Sequence, residues 1–257
     1  MNSVWHDNIT EISKYLIEPS ARYIHNSDIV YLIPQEILYN YPLHMLMLNG
    51  RSLIENNPVV YDSSTSVLKY QRRNKKSDLK NISIGVGFVK EAEQVSEIIK
   101  GELISEEKAC KNKIYDYLKH KGIIHFSCHG CYNEKDPLSS GLLLHDGILA
   151  SRDIFNFKLD AEIVTLSACD TGTNKRTNGD ELVGLTRAFL YAGADSVLVS
   201  LWKAYAEPTE IFMSEFYGSF INGDTKARAY QKAVIKLKDK FDDFYYWAPF
   251  VLYGDCD

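Results

Sequence analysis

A chain of 257 residues with 45% apolar side chains can bury a substantial core, as one large domain or two small ones. Its 29 basic against 34 acidic residues leave a net charge of -5, which argues against a polyanion-binding surface, so no direct nucleic-acid partner is expected. No apolar run approaches the roughly 18 to 20 residues of a membrane helix, and the opening "MNSVWHDNIT" lacks the layout of a signal peptide; a cytoplasmic protein without a membrane partner is expected.

In chain order, "IVYLI" (29–33), "ISIGVGF" (82–88), "IIHFSC" (123–128), "IVTLS" (163–167), "SVLVSL" (196–201) and "FVLYG" (250–254) read as strands. Between them "EAEQVSEIIK", "EEKACKNKIYDYLK", "ELVGLTRAFLYAG", "PTEIFMSEFYGSFING" and "DTKARAYQKAVIKLKDKF" read as helices, two of them closed by Gly193 and Gly223. The alternation predicts an α/β fold with a mostly parallel sheet. "LLLHDGILA" predicts a hairpin turned at Asp146-Gly147. The basic segment "YQRRNKKSDLKN" (70–81) reads as a polar surface connection after an N-terminal third, 1–80, and the amphipathic stretch "VWHDNITEISKYLIEPSARYI" as a segment that packs on its own sheet or docks a partner. No internal repeat is visible.

The chemistry concentrates in "IIHFSCHGCYNEKD", which holds His125, Cys128, His129 and Cys131. Five cysteines (Cys110, Cys128, Cys131, Cys169, Cys256) form an odd, irregular set, unlike a secreted disulfide framework. Cys128 and Cys131 make a C-x-x-C, but a zinc site wants two further ligands and Cys110 and Cys256 are isolated. A redox pair should open a helix, whereas "CHGCYNEKDPLSSG" reads as a loop, and Tyr132 stands where a haem motif needs histidine. "GVGFVK" has Lys90 where a dinucleotide loop needs its third glycine. His145 is expected to be exposed in the hairpin.

Ligands in open parallel sheets gather beyond the carboxyl ends of strands. His129 and Gly130 are expected just past one strand and Cys169, in "TLSACDTG", just past the next. If those strands are neighbours, the thiol has a base opposite it and backbone N–H groups near it, the parts of a cysteine hydrolase. His125 and Ser127 alternate with His129 on one strand face, which makes His125 a structural or bracing histidine.

"IIHFSCHG", "SGLLLHDGILASRDI", "AEIVTLSACDTG", "GDELVGLTRAFLYAGADSVLVSLW" and "YYWAPFVLYGD" resemble successive blocks of the CHAT domain, a caspase-like cysteine peptidase domain of clan CD, and "IVYLIPQEILYNYPLHML" and "VVYDSSTSVL" resemble its opening. The resemblance implies one domain over 1–257 with a caspase-haemoglobinase-like three-layer α/β/α sandwich. It implies a catalytic dyad of His129 and Cys169, an oxyanion hole from the backbone N–H groups of Gly130 and Cys169, and no cofactor or metal. It also implies a protein substrate, a regulatory or activating chain, and for some members a part in bacterial defence.

Specificity departs from the resemblance. Many members follow "SLW" with an acidic pair that can select a basic residue; "SLWKAYAEPT" has Tyr205 and Ala206 there, with Glu207 beside them. The pocket candidates are Ser167, Asp170, Ser200, Trp202 and Glu207, and they favour a neutral or apolar residue at the cut site. The loop "DTGTNKRTNGDE" (170–181), with Lys175-Arg176, is expected to order on binding of a partner or substrate. Two other readings stay open: a binding module of the same fold with an idle dyad, and a thiol redox or metal protein built on Cys128, Cys131 and Cys169.

Overall fold

The computed structural model of the chain describes residues 2–66, 79–133, 135–170 and 180–257, with side chains for these except 2–7, 168–170 and 180–183. The strands are β1 (Val30–Leu32), β2 (Met47–Leu48), β3 (Arg51–Ser52), β4 (Val59–Tyr61), β5 (Lys80–Gly85), β6 (Glu102–Ser105), β7 (Lys121–Cys131), β8 (Gly141–Leu144), β9 (Gly147–Ala150), β10 (Ile163–Asp170), β11 (Ser196–Ser200) and β12 (Phe250–Gly254). The α-helices are α1 (Asn2–Leu16), α2 (Leu53–Asn56), α3 (Val89–Ile98), α4 (Lys111–Leu118), α5 (Ser151–Ile154), α6 (Asp180–Ala192), α7 (Ala206–Ile221), α8 (Lys226–Lys240) and α9 (Phe244–Trp247).

Apart from β2 and β3, which pair with each other, the strands form one sheet in the order β1-β4-β12-β11-β10-β7-β5-β6, with the β8–β9 hairpin attached to β7. The run β11-β10-β7-β5-β6 is parallel, and β12 is antiparallel to β11. Adjacent side chains on β7 explain the layers. His125 reaches the Tyr217 hydroxyl of α7 at 3.0 Å, while Phe126 packs on Phe189 of α6 with ring centroids 5.9 Å apart. Successive strand residues point to opposite faces, so helices cover both, and β11 and β12 are buried along their whole length. This is the expected α/β/α sandwich, and the N-terminal strands β1 and β4 join the same sheet.

The six expected strands are present, except that the one expected over 82–88 ends at Gly85 and leaves 86–88 as a loop, and the short β2, β3, β4 and β6 add to them. Gly193 and Gly223 end their helices at φ +119 and +102, their N–H groups bonding back to Phe189 O and Phe220 O. Three expectations need correction. First, His129, Gly130 and Cys131 lie inside β7, because β8 zips onto it through His129↔Leu143, Gly130↔Leu142 and Cys131↔Gly141. "CHGC" is therefore strand and not loop.

Second, Cys169 lies inside β10, which runs on to Asp170 beside the lengthened β7. Third, the hairpin turns at His145-Asp146, with Leu144 paired to Gly147, whose φ is +142. The turn is drawn against the start of α4: Asp146 Oδ1 accepts from Lys111 N at 2.6 Å, and His145 N donates to Ala109 O at 3.1 Å.

Helix α1 packs on β2 through Ser13, whose Oγ accepts from Met47 N at 2.7 Å, and Ile17, just past its end, is buried. Most of segment 70–81 and of loop 170–181, including Lys175-Arg176, lies outside the described residues.

Candidate active site

Because β5, β7, β10 and β11 are parallel neighbours, their carboxyl ends open on one edge of the sheet. Four segments meet there: Gly87-Phe88 after β5, His129 on β7, Cys169 on β10, and Trp202 after β11. The Cα atoms of His129 and Cys169 are register partners, as are those of Gly130 and Asp170, and of Ser127 and Ser167. Adjacent strands run about 4.8 Å apart, so the two residues of the expected dyad sit on neighbouring backbones.

The His129 ring is half-buried. Its Nδ1 is buried without a hydrogen-bond partner among the described residues. Phe88 meets the ring edge-on, with centroids 4.8 Å apart and planes at 72°. Gly87, at φ +77, lies beside the other nitrogen: a Cβ there would stand 3.6 Å from His129 Nε2. Gly130 is buried under the Tyr132 ring, where a Cβ would meet Tyr132 Oη at 3.0 Å.

Below His129 on the same face of β7, His125 is fully buried. Its Nδ1 lies 3.0 Å from Tyr217 Oη, which donates to Thr165 Oγ1 at 2.7 Å, and its Nε2 lies 2.8 Å from Ser127 Oγ and 3.2 Å from Glu91 Oε1. Burial pushes the Tyr217 phenol well above its usual range, so it serves as a neutral hydroxyl. Burial separates the two histidines: His125 braces the interior, while His129 is half-buried at the edge.

The Cys128 thiol is fully buried, and desolvation pushes its pKa well above the ordinary thiol range. A thiolate is the reactive and ligating form, so Cys128 is poorly suited to redox or metal work. Cys131 is half-buried.

On the side of β10 away from His129, Leu166 pairs with Val199, and Cys169 and Trp202 each stand three residues further along. Trp202 belongs to an aromatic shelf. Its ring lies 5.7 Å from that of Tyr245, and Tyr205 lies 5.9 Å from Tyr245 and 5.4 Å from Tyr246. Tyr205 is 57% and Tyr245 38% exposed. Ser200 is buried, Ser167 is half-buried, and the side chain of Asp170 is outside the described set. Glu207 is held by Lys240 at 2.7 Å, which offsets its charge.

The CHAT domain family model matches residues 6–255. The chain belongs to the CHAT domain family. This CHAT domain is 35% identical over 113 residues to mouse Tetratricopeptide repeat protein 28 and 34% identical over 113 residues to the human protein of that name. Each match takes in 43% of this chain but only 5% and 4% of those proteins, so the chain spans a small fraction of the length of the curated relatives it matches.

Among solved structures, the Arg specific cysteine proteinase gingipain R is similar over 97% of this chain and 67% of its own, with a TM-score of 0.63 and 14% identity. The complex of pro- and mature domains of RgpB from Porphyromonas gingivalis gives a TM-score of 0.64 at 12% identity, covering 97% of this chain and 69% of that one. The separase–securin complex of Saccharomyces cerevisiae covers 87% of this chain and 15% of that one, at a TM-score of 0.58 and 16% identity. At these identities the likeness is one of fold, and the fold is caspase-like. No helix among the described residues is long and apolar enough to cross a membrane.

Gly87, Phe88, Glu91, Tyr217 and Tyr245 escaped sequence reasoning as parts of this edge. The G-x-G of "GVGF", which spans the end of β5, is the available signal for the first two.

Proposed function

We propose that this CHAT domain is a cysteine endopeptidase acting on a protein substrate through Cys169 and His129, as one domain over 1–257. The observation that carries the reading is the Cα register of these two residues on adjacent parallel strands, at the edge where such sheets present reactive groups.

In the first step His129 takes up the Cys169 thiol proton and the sulfur attacks the scissile carbonyl carbon, forming a C–S bond and pushing the carbonyl π pair onto oxygen. Backbone N–H groups of Gly130 and Cys169 hold that oxyanion; a single such donor is worth about 2.7 to 4 kcal/mol of barrier. Collapse breaks the C–N bond as His129 delivers a proton to the leaving amine. Water, giving a proton to His129, then attacks the thioester; the C–S bond breaks, the new carboxyl terminus leaves, and His129 returns its proton to the sulfur, restoring the thiol and the neutral imidazole.

The aromatic shelf of Trp202, Tyr205 and Tyr245 on the far side of β10 favours a neutral or apolar residue before the cut, with Ser167, Asp170, Ser200 and Glu207 as further pocket residues. The Lys240 partner of Glu207 weakens the case for a basic one. A regulatory polypeptide fits the reading, since separase is found with securin and mature RgpB with its pro-domain. Cleavage of a protein once a partner triggers it, in the manner that the resemblance implies for bacterial defence, is the cellular role that goes with this chemistry.

The test is a peptidyl acyloxymethyl ketone bearing leucine or phenylalanine at the cut site, followed by peptide mapping. An adduct at Cys169, slowed by His129→Ala, supports the reading. An adduct distributed over Cys110 and Cys131, unchanged by His129→Ala, would overturn it.

A further inference from the structure

Loop 86–88 is tied down from three directions. Val86 N donates to Ser127 O at 2.9 Å, and Gly87 N donates to Glu106 Oε1 at 3.1 Å. In the first turn of α3, Glu91 Oε1 accepts from Ser127 Oγ at 3.0 Å and lies 3.2 Å from His125 Nε2. His125 in turn leans on Tyr217 of α7. Close packing reinforces the tie: a Cβ at Gly85 would stand 2.7 Å from Ala92 Cβ.

What this scaffold presents is the Phe88 ring, edge-on to His129 and 39% exposed. What sets this ring apart from other exposed apolar side chains is its place: it stands against His129 at the rim of the reactive edge, directly after Gly87, whose N–H is held by Glu106. His129 has no hydrogen-bond partner at Nδ1 among the described residues, so its ring needs another restraint.

We infer that Phe88, anchored through Glu91 to Ser127 and His125, is the positioning residue that orients the His129 ring toward Cys169 in place of a third hydrogen-bonding residue. This rests on the peptidase reading for its purpose, but its geometry concerns His129 and Phe88 alone. The ring edge restricts rotation of the imidazole, and the Glu91 anchor stops α3 and its leading loop from drifting along β7. Misplacement of a reacting group by about 1 Å can cost a factor of about 100 in rate, so a restraint of this kind is worth having.

The test measures site-resolved alkylation of Cys169 by iodoacetamide from pH 5 to 10 on the full chain, which needs no substrate. Phe88→Ala should move the midpoint of the Cys169 profile upward by about one pH unit, because a misaligned imidazole stabilises the thiolate less. Phe88→Tyr, which keeps the ring, should restore the wild-type profile. Glu91→Ala should follow Phe88→Ala, and Glu91→Gln, which retains an acceptor for Ser127, should fall between. Phe88 is exposed enough that its variants test the idea even if Glu91→Ala fails to fold.

A Cys169 profile unchanged by Phe88→Ala would overturn the inference, as would equal shifts in Phe88→Ala and Phe88→Tyr. Failure of the peptidase reading is a separate result: a wild-type Cys169 that alkylates normally while no peptide of a diverse library is cut.

Discussion

His129 and Cys169 are Cα register partners on adjacent parallel strands, and β8 extends the first of those strands past the histidine. The two residues of the proposed dyad are thus fixed by backbone pairing and not by loop conformation. Replacing either should remove catalysis without loosening the fold. Cys169→Ala is expected to lower turnover of a fluorogenic peptide by at least about 1,000-fold, and His129→Ala by about 100- to 10,000-fold. The double change Cys128→Ser and Cys131→Ser should leave it within about twofold, since the Cys128 thiol is buried and held protonated. Steady-state kinetics of the three variants decide it; activity lost only in the double variant would move the chemistry to C-x-x-C.

Gly130 has a steric reason to be glycine that is independent of any oxyanion role. A Cβ there would meet the Tyr132 ring at 3.0 to 3.2 Å, so alanine is accommodated only if the tyrosine ring gives by a few tenths of an ångström. Gly130→Ala is expected to cost about 1 to 3 kcal/mol in urea unfolding, with Tyr132→Ala recovering most of that in the double variant. If the double variant is stable yet still inactive, the backbone at position 130 is required for more than space.

The sheet was legible because its central strands are buried on both faces and appear as Val- and Ile-rich runs such as "SVLVS" and "FVLYG". Strand ends were not, since residues 129–131 are polar or small and become strand only when the hairpin pairs with them. The sequence places the turn at Asp146-Gly147, one residue late, because the contacts to Lys111 and Ala109 that fix it come from outside the hairpin. At the site, His129 and Cys169 are legible as candidates because each follows a Val- or Ile-rich run, although both strands continue past them. Phe88, Glu91 and Tyr217 do not, because folding brings them to His129 and His125 from 34 to 92 residues away for the His125 contacts.

The aromatic shelf makes a specificity prediction. Tyr205 is more than half exposed and contacts Tyr245 and Tyr246, so its ring offers apolar surface beside the expected cut-site pocket. Tyr205→Ala should lower kcat/KM for peptides with leucine or phenylalanine at the cut site by about tenfold, the scale of one or two methylene-sized contacts in a pocket. Tyr205→Asp should lower it further while raising cleavage after arginine. A profile of paired peptides checks this, and unchanged selectivity in both variants would place the pocket elsewhere.

His44 predicts an acid limit on stability that is independent of the site. It is fully buried, with Tyr61, Tyr230 and Trp247 edge-on around it, and desolvation lowers its pKa from 6.5 to about 3. Its backbone N–H donates to Tyr61 Oη at 2.9 Å, and the same hydroxyl lies 2.9 Å from Nδ1, an arrangement that suits a neutral ring accepting at Nδ1. Because the folded pKa lies below the unfolded one, the unfolded chain takes up the proton first. The contribution is therefore fully present above pH 6.5 and is lost as pH falls from about 6.5 toward 3, by up to about 1.4 kcal/mol per pH unit. Urea unfolding at pH 7, 6, 5 and 4 should show a shallower fall for His44→Gln than for the wild type, whatever the carboxylates contribute to both. Parallel curves for the two proteins would mean that His44 is protonated in the folded state at the same pH as in the unfolded one.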